Sequence, residues 1–202
     1  MNLKLILLSI NIFCIFSYFV IMIYLHVKFK NYNPVFHAVS DYGVGKSKKL
    51  QLVSGFFSVI GSLSLMLVFM IWHKNLDYKN QAVFWLFVRA VSVIGVLIFP
   101  TDIEGRKKTK TGLLHYLFAI IQFTAVIKLT INLTPIFTSM EINSIFKTVL
   151  IFLNQTVKYS LIGVVLGLFI PPVKKVFGLI ERIFLFSGTI YFLVLNMILI
   201  SI

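Results

Sequence analysis

Six acidic residues and four histidines are all that this chain of 202 residues offers for proton transfer or metal ligation, so their positions carry weight. Asp102 in FPTD (99–102) and His115 in GLLH (112–115) flank a short connection that brings them to the mouth of one hairpin. A carboxylate beside an imidazole orients the ring and favours its charged form, which a general acid or base requires. A structural hydrogen bond requires the same pair. Asp41, in HAVSDYG (37–43), is the third catalytic candidate. In one scheme Ser40 is a nucleophile, His115 its base and Asp102 the orienting carboxylate, although no nucleophile elbow surrounds Ser40. In the other, His37, Asp41, Asp102 and His115 supply N and O ligands to a divalent ion that activates water, without an HExxH-like spacing. No metal site and no cofactor is assigned.

Four more residues are candidates for ligand binding. Glu181 and Arg182 open the last apolar run, while Arg89 in WLFVRAVSVIGVLIF (85–99) and Lys158 in NQTVKYSLIG (154–163) lie within apolar runs. A charge at that depth is costly and faces a bundle interior or a polar cavity, unless its stem snorkels to the interface. No acidic residue lies deep in any run to neutralise either cation. A lining of carbonyls and hydroxyls would satisfy them, and so would the phosphate or carboxylate of a lipid. The same shortage of acids argues against a carboxylate proton relay. Gln122, seven residues after His115 and on its helical face, extends a polar lining inward.

The elements that must position these residues follow from composition. Hydrophobic residues make up 59% of the chain and charged residues 12%. That is about half the charge of a soluble domain, which typically carries about 25%, so a soluble globular enzyme is excluded. Disorder is excluded by the 21 phenylalanines. The single cysteine, Cys14, leaves no internal disulfide and no cysteine-cluster metal site. Apolar runs cover residues 3–25, 50–72, 81–99, 112–133, 147–170 and 180–201. Each approaches or exceeds the roughly 20 residues that one crossing needs. The expected fold is therefore all-α: a polytopic six-transmembrane-helix bundle forming one integral membrane domain over 1–202. The first run is too long for a signal-peptide core and has no small-x-small cleavage site, so it is read as a span. All five prolines, Pro135 included, are placed between the runs. Ser54, Ser58, Gly61 and Ser62 in the second run, and Gly163 and Gly167 in the fifth, form small-residue stripes suited to close packing within the bundle. They do not select a homo-oligomer.

Net charge is +13, and its distribution sets an orientation. Twelve of the 19 basic residues fall in the 1–2, 3–4 and 5–6 connections, five fall on the other side, and Arg89 and Lys158 lie inside spans. The positive-inside rule places those three loops in the cytoplasm and both termini outside, with the cell membrane as the expected location. GRKKTKTG (105–112) is the densest basic cluster. Basic loops facing an anionic leaflet account for the charge and make membrane lipids, anionic ones included, the expected partners. Nucleic-acid binding is excluded, because no supporting fold or aromatic interleaving accompanies the lysines.

SDYG (40–43), FPTD (99–102), GLLHYLFAIIQF (112–123) and GLIER (178–182) together resemble the multi-pass membrane proteins grouped as domain-of-unknown-function family 998. The resemblance runs over nearly the whole chain. It implies the architecture and marks these residues as interesting, and it implies no reaction. The leading reading is a small integral membrane protein with a cytoplasm-facing polar pocket for a lipid or small amphiphile. The alternatives are a lipid hydrolase or transferase using Asp102 and His115, a small transporter, and a non-catalytic subunit of a membrane complex. Membrane hydrolases of the metal-dependent kind draw histidines from late spans, and the last two spans here contain none.

Overall fold

The computed structural model describes residues 3–72, 76–102 and 109–202. Six of its helices are long and apolar enough to cross a membrane: α1 (Leu3–Lys28), α2 (Lys48–Met70), α3 (Lys79–Ile98), α4 (Lys110–Ser139), α5 (Ser144–Phe169) and α7 (Phe177–Ser201). The four-residue helix α6 (Pro171–Lys174) precedes the last, and two 3-10 turns, Val39–Gly43 and Gly45–Ser47, shape the connection between α1 and α2. No strand occurs among the described residues. Hydrocarbon offers the backbone no partners, so apolar runs of this length close their hydrogen bonds within helices. The protein is accordingly an all-α, multi-pass integral membrane protein.

Local chemistry sets the helix ends. Phe99 (φ −98, ψ 104) and Ile170 (φ −105, ψ 111) are extended because each precedes a proline, which disfavours the helical region for the residue before it. Thr109 starts α4 by accepting the Gly112 N–H, and Asn143 starts α5 by accepting that of Ile145. Pro135 departs from expectation: it lies inside α4, which continues to Ser139. Its ring removes the N–H owed to the carbonyl of Ile131. The Thr134 and Thr138 hydroxyls donate to the neighbouring carbonyls of Thr130 (2.6 Å) and Thr134 (2.8 Å).

The helices neighbour one another in chain order from α1 to α5, and α7 packs on α5, returns beside α1 and touches α4. It is the most buried of the spans. The Gly163 and Gly167 stripe serves this packing: a Cβ at either would come within 2.8 Å of Ile180 or Phe177 on α7. Leu65, Phe69, Leu129, Phe137, Leu150 and Leu199 belong to a close-packed apolar core. In lipid, such contacts stabilise through packing and not through release of water. A smaller cluster of Tyr18, Met22, Leu25, Val39 and Tyr42 seats the 29–47 connection on α1.

Candidate functional site

The start of α7 carries the pin that holds the first connection down. Arg182, 4% exposed, donates from Nη1 to the carbonyls of Pro34 (2.8 Å), His37 (2.6 Å) and Gly178 (2.9 Å). From Nε it donates to His26 Nε2 at 2.7 Å. That nitrogen accepts, so the His26 proton sits on Nδ1 and is given to the Met22 carbonyl. The guanidinium also lies 5.8 Å from the centre of the Tyr42 ring. Burial raises the pKa of the Tyr42 phenol above its ordinary value. Glu181 accepts the Val39 N–H at 2.6 Å, and Asp41 accepts that of Ala38 at 3.1 Å, closing its own turn. Gly178 is required here: a Cβ would collide with the His37 carbonyl. Glu181 and Arg182 of GLIER, packed close at Gly178, thus tie one loop to one helix, and Asp41 of SDYG closes a turn within that loop.

The FPTD and GLLH segments meet at the adjacent corner. Asp102 accepts from Thr109 N (2.8 Å) and Thr109 Oγ1 (2.7 Å), and its carboxylate lies over Gly112, where a Cβ would overlap it. His115, 4% exposed, gives its Nδ1 hydrogen to the Phe99 carbonyl at 2.8 Å, because a carbonyl can only accept. Phe99 ends α3, where the last carbonyls have no partner within the helix, so the imidazole satisfies one of them. A backbone carbonyl therefore orients the His115 ring, and Nε2 is left as its basic nitrogen.

Between these two corners and the middle of the bundle lies a cavity of about 80 Å³. This is room for about five water molecules, too little for an acyl chain. His115, Ser40, Glu181, Gln51, Gln122 and Arg89 supply its polar lining, with Tyr18, Ser54, Ser58 and Thr189. A neighbouring cavity of about 20 Å³ shares His115, Ser40 and Gln51 with it and reaches Gly43, Pro100 and Thr101 on the loop face. Another of about 20 Å³ shares Arg89 and Ser58 and runs on to Asn11 and Ser62. There the Asn196 amide donates to Asn11 Oδ1 at 2.6 Å. Polar space thus extends from the loop face into the interior.

Arg89 stands where the main cavity meets the inner one. Its Nη1 donates to Ser62 Oγ and, at 3.5 Å, to the Ser58 carbonyl, and its guanidinium lies 5.2 Å from the centre of the Phe192 ring. No carboxylate is among these partners, and Nε is buried without a hydrogen bond. The Ser54 hydroxyl and the Gln51 carbonyl oxygen, also in the cavity wall, are buried and unpartnered as well. Glu181 shares the cavity but sits eleven residues from Phe192 along α7, about 16 Å of helix rise.

The candidates therefore separate. His115, Ser40, Glu181, Gln122 and Arg89 line one cavity. Asp102 and Asp41 serve helix and turn termini beside it and are not part of its lining. Arg182 holds the loop. His37 packs edge-on against Tyr32 and Phe36, and the described residues contain no group of three or more His, Cys, Asp or Glu able to hold a metal. Lys158 is exposed on the outer face of α5, 6.0 Å from the centre of the Tyr159 ring. Most of the basic cluster at 105–112, together with Glu104, lies outside the described residues. Gln51, Ser54 and Ser58 are cavity residues that the sequence reading misses or assigns to packing. Their signal is a spacing of three and four residues from a glutamine at the head of α2, one polar face.

A family model described as a protein of unknown function (DUF998) matches residues 12–197. The chain belongs to this family. All four DUF998-like segments, SDYG, FPTD, GLLHYLFAIIQF and GLIER, fall inside the matched region, and each contributes a residue to the two corners just described. No curated protein and no solved structure matches the chain.

Proposed function

We propose that this DUF998 member binds the anionic headgroup of a lipid or small amphiphile in the Arg89 cavity, with the 29–47 connection and its companion loops on the cytoplasmic side of the cell membrane. Arg89 carries the reading. A guanidinium inside a membrane bundle needs compensation, and here it has one hydroxyl, one carbonyl and an Nε with no partner. A carboxylate or phosphate oxygen supplies the missing acceptor, and guanidinium recognises both geometries well. The cavity volume admits the headgroup and leaves the hydrocarbon chain outside in lipid. Exposed Lys46, Lys48 and Lys49 flank the loop-face end and favour anions there.

The test compares a fluorescent fatty acid with the alcohol of equal chain length, titrated into purified protein in nanodiscs. The acid is expected to bind at least about tenfold more tightly, and Arg89→Gln to remove that preference, since one charge-assisted hydrogen bond contributes about 1.5–3 kcal/mol. Equal affinity for acid and alcohol contradicts the proposal.

A second reading, hydrolysis or transfer on a lipid, draws on one observation: Ser40 and His115 share the cavity. Product formation by purified protein that His115→Ala abolishes would support it, and absence of turnover across lipid classes would oppose it.

A further inference from the structure

Lys158 is the charge that the cavity leaves unexplained. It is the fifteenth of 26 residues in α5, about 21 Å of rise from one end and about 16 Å from the other. Its depth is fixed independently by its neighbour Val157, which lies 3.9 Å from where a Cβ would stand on Gly188. Gly188 is the twelfth of the 25 residues of α7. Lys158 is therefore close to the middle of the crossing. It is also exposed, on the face of α5 opposite Leu153, Val157 and Ser160, which pack inward. α5 is the least buried of the six spans.

A lysine stem does not bridge half of a hydrocarbon layer about 30 Å thick, so snorkelling leaves the ammonium within the membrane. Lys128, the other exposed lysine well inside a span, differs: its residue stands beside Tyr78, whose hydroxyl donates to the Lys128 carbonyl at the head of α3. Around Lys158 the outer face offers Gln155 and Tyr159 among large apolar side chains, Phe152 and Ile162 being 67% and 49% exposed. This is a surface with one buried-depth charge and a broad apolar surround.

We propose that this face of α5 docks a transmembrane helix of another protein that carries an aspartate or glutamate near its midpoint, paired with Lys158. Charge complementarity selects the occupant. The six acidic residues of this chain are Asp41, Asp77, Asp102, Glu104, Glu141 and Glu181. None lies near the middle of a span, so a second copy presents no counter-charge at that depth. In hydrocarbon, an ammonium and a carboxylate each lower the cost of inserting the other.

The experiment places donor-labelled protein in phosphatidylcholine vesicles with an acceptor-labelled, leucine-rich single-span peptide bearing a central glutamate, or with the same peptide bearing glutamine. Energy transfer should show the glutamate peptide associating about tenfold more tightly than the glutamine one. Lys158→Leu should erase the difference and Lys158→Arg should keep it. Equal association of the two peptides with the wild-type protein overturns the proposal, a comparison that needs no variant to fold. A glutamate preference that survives Lys158→Leu also overturns it. So does Lys158-dependent energy transfer between copies of the protein in vesicles without peptide, which would assign the face to a second copy.

Discussion

Arg182 donates to three carbonyls and to His26 and keeps only Nη2 unpartnered, whereas Arg89 donates to one hydroxyl and one carbonyl and keeps Nε unpartnered. The two arginines therefore respond differently to substitution. Arg182→Lys retains the charge but loses the planar fork, leaving loop carbonyls without donors in a buried site. A loss of about 2–4 kcal/mol of stability is expected, read as a lowered melting temperature in detergent. Arg89→Gln should leave the melting temperature near that of the wild type, because few contacts depend on it. At this scale the sequence draws attention to Arg89, a cation within an apolar run, and the structure puts it in the cavity wall. The sequence also pairs Asp102 with His115 across the hairpin, and Asp102 acts on the imidazole through its charge. The ring hydrogen itself goes to the Phe99 carbonyl, left free by the end of α3 before Pro100, which the residue types alone do not reveal.

The α3–α4 hairpin shows how an element depends on one small residue. Asp102 reaches the amide of Thr109 by lying across the first turn of α4, which is open only because residue 112 has no side chain. Gly112→Ala is expected to destabilise the protein by about 1–3 kcal/mol through this overlap, measured by thermal unfolding, and Asp102→Ala in the same background should recover part of the loss. Element boundaries are only partly legible in the sequence. Pro100 and Pro171 end helices, as a residue restricted before proline dictates. Pro135 does not: α4 continues past it to Ser139, and a proline in the sequence does not by itself distinguish the two outcomes. The serines of α2 are ambiguous for a related reason: small polar residues at helical spacing suit close packing and a hydrated cavity equally.

Across the whole molecule, run length and apolarity specify six spans, and these are the six the bundle uses. The asymmetry of the basic residues bears on orientation, and the single cysteine makes that testable. Cys14 is buried, so labelling background from an impermeant maleimide should be low. A cysteine introduced at exposed Lys46 is expected to react only after cells are permeabilised, whereas one at exposed Glu141 should react in intact cells; the reverse pattern would invert the topology. Polar space runs from the loop face into the bundle, with Arg89 where the main cavity meets the inner one.

The most direct measurement of that arrangement is an experimental structure of the protein in nanodiscs containing anionic lipid or fatty acid. Density for a carboxylate or phosphate within hydrogen-bonding distance of Arg89 Nε, continuous with a chain that leaves the bundle, is the predicted result. A cavity that holds only water at Arg89, in the presence of saturating anionic amphiphile, would contradict the account.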